Sequence, residues 1–258
     1  MNILEMENVC KSFGGLAAVT NLSFSLSGSQ EVLGLIGPNG AGKTTVFNLI
    51  TGQHRPSRRK INFQGQEIGG EKPYRIAQRG ISRTFQTTSL FFEETVLTNI
   101  LISRHCRLKS GLWGALAIPR FTAEEERRAL EKSLEILGKT SLDSKADDYP
   151  HNLTGAEQRM LMIAMALATN PAVILLDEPF AGMRHHETEI LLDLIRKISE
   201  WGIATILIEH DMKVVMNICH RIVVLNFGTK IAEGTPQEVR ENPQVIQAYL
   251  GRRRHAKD

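Results

Sequence analysis

The chain has 258 residues, 42% hydrophobic and 23% charged, the balance of a globular protein long enough for a sizeable core in one or two domains. A formal net charge of +3 gives no global basic field, which argues against a nucleic-acid partner. Cys10, Cys106 and Cys219 lie far apart with no CxxC pair, so the spacing suggests neither a zinc site nor a disulfide framework, and reduced thiols are expected. No run approaches the roughly 18 apolar residues of a spanning helix, and MNILEMENVCKSF carries acids where a signal peptide is basic, so any membrane association is expected to come through a partner.

Short apolar or alternating runs at 3–9, 22–26 and 31–37 predict strands. A glycine-rich segment, GPNGAGKTT at 37–45, follows the third, and a helix is expected from there to a cap at Gly52. KINFQGQEI (60–68) predicts a strand turning at Gln64-Gly65. Residues 104–122, with Gly111, Trp113, Gly114 and Pro119, read as an insertion, part helix and part loop. AEEERRALEKSLEILG (123–138) has helical periodicity, with acids in its expected first turn. EQRMLMIAMALATNP (157–171) predicts a helix stopped before Pro171, and 139–160 is expected to form a lobe of its own. AVILLDEP (172–179) is a continuous apolar run ending in acids, the pattern of a buried parallel strand that delivers carboxylates to a sheet edge. A helix at 187–202, a buried strand at 204–210 and a hairpin at 221–234 across Phe227-Gly228 complete the pattern. The last eight residues, GRRRHAKD (251–258), read as a solvated basic tail. Strands alternating with helices predict an α/β core.

GPNGAGKT matches G-x-x-x-x-G-K-[ST] in full, with a strand before it and a helix after it. Glycines let successive backbone N–H groups turn inward around phosphate oxygens, and the helix start adds positive potential. Lys43 is expected to reach the β- and γ-phosphates, and Thr44 to coordinate Mg²⁺. Asp177, at the end of VILLD, is placed to hold Mg²⁺ through water, and Glu178 to polarise an attacking water. His210, after ATILIE, is placed to hold phosphate and water together, and Gln86, between a strand and a helix-poor stretch, to ligate Mg²⁺. Thr154 and Glu157 have capping-box spacing, which leaves the N–H groups of Gly155 and Ala156 pointing out of a helix start as an anion site.

Together these motifs resemble the nucleotide-binding domain of ATP-binding cassette (ABC) transporters over roughly residues 3–250. The order fits throughout: phosphate loop at 37–45, glutamine loop at Gln86, signature at 153–158, Walker B strand at 173–178, D-loop at 181–184 and switch histidine at His210. The resemblance implies a P-loop NTPase fold with a RecA-like core, an antiparallel β-subdomain and a helical lobe and insertion over about 88–170. ATP would lie on Gly37, Pro38, Asn39, Gly40, Ala41, Gly42, Lys43, Thr44 and Thr45, with adenine stacked on Phe13 and Val19 nearby, and Mg²⁺ on Thr44, Gln86 and Asp177. Glu178, His210 and Lys43 would carry the catalysis. A second ATPase subunit would receive this chain's signature (Leu153, Thr154, Gly155, Ala156, Glu157) and D-loop (Ala181, Gly182, Met183, Arg184) against its own ATP. Within the family, KSFGGLAAV, GISRTFQ, EPFAGM, LIEHDMKVVM and EGTPQEVRENPQVIQAYLG look like the larger ATPase subunit of branched-chain amino acid importers. That implies a peripheral position on the cytoplasmic face of the inner membrane, two permease subunits with a short helix docked near 86–99, and indirectly a solute-binding protein.

Two positions depart from the family pattern. Ala156 stands where glycine is usual, and Arg184 where an acid or Asn is usual; both act on the partner's ATP, so pairing with a different ATPase subunit and unequal composite sites are expected. Arg58 and Arg59 stand where relatives often turn on glycine, and read as a solvated edge. A nucleotide-gated regulatory subunit with weak turnover is the alternative, and urea, amides or lipopolysaccharide are alternative cargoes. A chromosome-type ATPase is disfavoured because 46–152 is too short for a long coiled coil.

Overall fold

The computed structural model describes residues 2–84, 90–104 and 119–250. Its centre is a six-stranded sheet of order β10-β9-β3-β8-β7-β6, formed by β3 (Val32–Ile36), β6 (Ile81–Arg83), β7 (Val173–Asp177), β8 (Ala204–Ile208), β9 (Arg221–Asn226) and β10 (Thr229–Gly234). Neighbours pair in parallel except β9 and β10, which form the antiparallel edge hairpin. Every residue of β3, β7 and β8 is buried, as parallel strands covered on both faces require.

The period of two sends alternate side chains to opposite cores. Val32, Ile36, Ile174, Leu176 and Leu207 face one cluster, with the helices α5 (Gly155–Ala168) and α6 (His185–Glu200). Leu33, Leu35, Val173, Leu175, Ile206 and Ile208 face the other, with α1 (Lys43–Ile50) and an antiparallel sheet. That second sheet has the order β2-β1-β4-β5, from β1 (Leu4–Phe13), β2 (Leu16–Leu26), β4 (Arg58–Phe63) and β5 (Gln66–Glu67). Each fully buried aliphatic side chain contributes about 1.5–3 kcal/mol, so both faces of the central sheet are anchored by many such contributions.

The remaining helices are α2 (Pro73–Arg79), α3 (Val96–Arg104), α4 (Pro119–Lys139), α7 (Met212–Ile218), α8 (Pro236–Glu241) and α9 (Pro243–Leu250). Helices α3, α4 and α5 pack on one another. No helix among the described residues is long and apolar enough to cross a membrane.

Several expectations shift. The first two strands run on to Phe13 and from Leu16, joining as a hairpin at Gly14-Gly15. Helix α4 begins at Pro119, a favoured first helical residue, so Glu124 lies beyond the first turn and pairs with Arg127 and Arg128 instead of the helix dipole. Helix α5 starts at Gly155 and stops at Ala168; Asn170 takes a left-handed φ of 51 ahead of Pro171. The stretch after Gln86 is not helix-poor: α3 follows, held by Val96 N–H donating to Asp148 O at 2.8 Å and Leu97 N–H to Ala146 O at 2.9 Å. Most of the 104–122 insertion, with Cys106 and Trp113, lies outside the described residues, as does the 251–258 tail.

Candidate functional site

Three neighbouring parallel strands deliver the site. β3 runs into the glycine loop, β7 into Asp177-Glu178, and β8 into Glu209-His210, so all the groups meet at the carboxyl edge of one sheet, where open α/β sheets bind ligands. The loop enters α1 through Gly42 at φ 101, a left-handed N-cap with no side-chain cap bond. A β-carbon there would sit 2.6 Å from Ala18 O, so only glycine fits. Lys43 is 6% exposed, and its ammonium donates to Gly37 O at 2.7 Å and Pro38 O at 3.1 Å. A buried cation held by its own loop, beside a helix start whose first N–H groups carry no side-chain cap, is a cradle for anionic oxygens.

The cleft has a volume of about 550 Å³. Phe13, Asn39, Gly40, Ala41, Gly42, Lys43, Thr44, Thr45, Glu178 and His210 line it together, as the sequence reading expects. Glu178 takes a left-handed φ of 49, and its N–H donates to Ile208 O at 2.9 Å. The Glu178 carboxylate meets His210 Nε2 at 2.6 Å. A bulky residue held in that backbone region is strained, and such strain clusters where a side chain must be aimed. Asp177 lies behind Glu178, largely buried, in a 2.7 Å ion pair with Arg83, whose other terminal nitrogen donates to Asn48 Oδ1 at 2.7 Å.

Some expected residues are elsewhere. Val19 is not in the cleft: the alternation of β2 turns it into the core, 1% exposed, where it packs beneath Gly42. Gly37 and Pro38 stand behind the loop as acceptors for Lys43 and do not line the cleft. Gln86 lies outside the described residues.

The signature residues do not line the cleft either, and form a separate helix start. The capping box is present: Thr154 Oγ1 accepts from Glu157 N–H at 3.2 Å, and the Glu157 carboxylate accepts from Thr154 N–H at 2.8 Å. Leu153 is buried beneath, while Gly155 is exposed and Ala156 half-buried. In the D-loop, Arg184 is the N-cap of α6; its backbone N–H donates to Glu187 at 2.8 Å, and no side-chain cap bond is made.

Sequence reasoning missed several groups. Leu16, Ala17, Ala18, Phe227 and Gly228 also line the cleft. Glu209 is 5% exposed, and its carboxylate accepts from Phe180 N–H at 3.1 Å and His210 N–H at 2.8 Å, tying the D-loop side to the histidine. Arg159 donates to Glu178 O at 3.3 Å and to Ala181 O at 2.6 Å. Both are ordinary charged residues in sequence, and only the fold gives them partners. The hydroxyl of Tyr249, on α9, is pushed up to about 12 by burial, against an opposing hydrogen bond with the Gly37 backbone, which brings the C-terminal helix to the start of the loop.

Mg²⁺ would find one donor in the cleft, the exposed hydroxyl of Thr44, a hard oxygen that suits a hard cation. The Asp177 carboxylate stands at the strand end, buried against Arg83 and outside the cleft lining, so it would act on such an ion only through intervening water. Among the described residues no cluster of three or more His, Cys, Asp or Glu exists, so phosphate and water oxygens would have to supply the other positions.

A glycine loop, a buried lysine and a strand-end carboxylate pair on a parallel sheet, with a separately capped signature helix, make an ATP-binding cassette. The chain belongs to the ABC transporter family, whose sequence pattern matches residues 19–181, and its enzymatic class is the ATPase of that family. A second pattern, described as branched-chain amino acid ATP-binding cassette transporter, matches 229–255. The chain is 43% identical over 251 residues to the high-affinity branched-chain amino acid transport ATP-binding protein BraF of Pseudomonas aeruginosa, spanning 96% of this chain and 98% of that one. It is 44% identical over the same shares to the corresponding protein LivG of Escherichia coli. Its fold matches the crystal structure of the ADP conformation of an ATP-binding cassette of an ABC transporter, with a TM-score of 0.85, 33% identity and coverage of 97% and 99% of the two chains.

Proposed function

We propose that this chain is the ATP-hydrolysing subunit of an importer of branched-chain, hydrophobic amino acids, acting at the cytoplasmic face of the membrane with a second ATPase subunit, two permease subunits and indirectly a solute-binding protein. The observation that carries the ATPase half is the 2.6 Å contact between Glu178 and His210 in the cleft that Lys43 and Thr44 share. The cargo is supported by the names of the relatives and by the match at 229–255.

In this reading the loop amides and Lys43 bind and orient the β- and γ-phosphates, while Phe13 supports the base. Thr44 and Gln86, and Asp177 through water, would hold Mg²⁺, which would supply positive charge against the phosphates. Glu178 orients the attacking water and accepts its proton, and His210 holds that carboxylate in place. The helix start at Gly155–Ala156 and the D-loop act on the nucleotide of the partner subunit. Arg83 neutralises Asp177 and holds its carboxylate fixed at the strand end.

Permease docking is supported by the exposed Phe91 and Phe92. Buried Asn99 fixes their segment, donating to Phe91 O at 3.0 Å and accepting from Phe91 N–H at 2.8 Å. A separate cleft of about 380 Å³, lined by Tyr74, Ile76, Met162 and Met165 among others, is a second apolar recess on the chain.

The regulatory reading is favoured by one observation, Arg184 at a cap position that its side chain does not fill. The experiment that separates the two is Mg²⁺-dependent ATP hydrolysis by the reconstituted complex, comparing the native chain with Glu178→Gln. Turnover that collapses in the variant while ATP binding persists is the expected result. Turnover indifferent to Glu178 would move the regulatory reading ahead.

A further inference from the structure

The β9–β10 turn carries an aromatic side chain for which the fold has no use. Asn226 pairs with Thr229 across it, leaving Phe227 and Gly228 as the two central residues, at φ 45 and φ 76. Positive φ at both positions suits Asn, Asp or Gly at the first and Gly at the second. A phenylalanine at the first position is disfavoured by the clash of its β-carbon with the backbone. It also buries little: at 78%, Phe227 is the most exposed large hydrophobic side chain among the described residues.

The position of the turn is nevertheless fixed. Gly228 N–H donates to Ala41 O of the phosphate loop at 3.0 Å, and Thr20 N–H donates to Gly228 O at 2.8 Å. The turn is thus tied both to the loop and to the strand that carries Leu16, Ala17 and Ala18. Phe227 lines the same cleft as these residues and Phe13. The cleft lining therefore combines two chemistries: Lys43, Thr44, Glu178 and His210 supply charge and hydroxyl, while Phe13, Leu16, Ala17 and Phe227 supply apolar surface. A nucleotide calls for the same two, with anionic phosphates at one end and a flat, weakly polar purine at the other.

We propose that Phe227 is a further nucleotide-binding residue, giving the base or its sugar an apolar face in addition to Phe13. This rests on reading the cleft as the nucleotide site. The turn accepts a poorly suited residue because the ring gains contact only when nucleotide is bound.

The test is calorimetric binding of Mg·ATP and of inorganic tripolyphosphate to the purified chain, native and as Phe227→Asn, Phe227→Tyr and Lys43→Ala. Asn suits the turn, so folding is retained and the variant reports the ring alone. Phe227→Asn should weaken ATP about tenfold, the scale of one lost base–aromatic contact. It should leave tripolyphosphate unchanged, and Phe227→Tyr should bind ATP as the native chain does. Equal ATP affinity in Phe227→Asn, or equal loss for ATP and tripolyphosphate, would overturn the proposal. Unchanged affinity with impaired ATP-dependent association of subunits would overturn it in favour of a protein contact. If Lys43→Ala also binds ATP normally, the reading of the cleft itself is wrong. If Lys43→Ala fails to bind while Phe227→Asn binds fully, only the role of Phe227 falls.

Discussion

Gly155→Ala separates what the helix start does for this chain from what it does for another. Gly155 is the first residue of α5, and a β-carbon built there meets no atom within 4 Å. Its backbone needs no left-handed conformation. Alanine is favoured over glycine by up to about 1 kcal/mol in a helix interior and by a fraction of that in the first turn. The isolated variant should therefore melt at the same temperature as the native chain or about 1–2 °C above it. In the assembled ATPase pair, the added methyl would stand between the exposed N–H groups of the helix start and the phosphate of the partner's nucleotide. One lost hydrogen bond to a charged group costs about 1.5–3 kcal/mol, which is roughly ten- to hundredfold in rate. The assay pairs thermal melting and ATP binding of the isolated chain with ATP turnover of the reconstituted complex. Turnover at native level would refute the reading of Gly155 as a phosphate-facing residue. A melting temperature lowered by several degrees would show instead that the glycine serves the fold.

Arg184→Asp places a side-chain acceptor at the N-cap of α6, where the arginine offers none. The variant should gain about 1 kcal/mol, raising the melting temperature by about 2–4 °C in thermal denaturation, and no gain would mean that the arginine has stabilising contacts of equal worth. Burial pushes the Cys219 thiol from 9.0 up to about 12, with Glu209 adding to the rise. The folded chain therefore keeps a proton that the unfolded chain loses, so stability falls as pH rises above about 9, by about 1.4 kcal/mol per pH unit from this group. Denaturant melts between pH 8 and 11 should show a shallower decline in Cys219→Ala than in the native chain, and parallel declines would contradict the assignment.

The sequence was most legible where local chemistry and tertiary context agree. VLGLI, VILLD and ATILI are apolar throughout because both faces of each strand are covered, and such runs announce their burial without reference to neighbours. The loop at 37–45 was legible for a related reason, since glycine geometry and the lysine are constraints of the backbone itself. Strand β1 beyond Val9 was not, because polar residues at the exposed end of a hairpin carry no alternation. Helix α3 escaped because buried Asn99 interrupts its apolar face, holding the turn before it through Phe91 and Glu94. Val19 was assigned to the cleft by resemblance, yet its strand faces the core at that register. Phe227 was visible as a turn residue, but its place beside the phosphate loop depends on hydrogen bonds between segments far apart in the sequence.

Those same long-range contacts bear on how two separated sites can act together. The signature helix and the cleft share no lining residue, yet Arg159, one turn into α5, holds the carbonyls of Glu178 and Ala181. Glu209, at the end of β8, holds the N–H groups of Phe180 and His210. The segment from Glu178 through the D-loop is thus fastened on one side to the helix that would meet the partner's ATP and on the other to the histidine that lines this chain's own cleft. Buried or half-buried charged groups with several backbone partners give way together or not at all, because leaving one polar group unsatisfied costs about 1–3 kcal/mol. A shift of α5 on engaging a second subunit would therefore reach the Glu178–His210 pair through backbone, with no need for a mobile side-chain relay. Glu178 itself holds a strained φ of 49 at the start of this doubly fastened segment, so its direction is set by its neighbours' contacts as well as by its own strand.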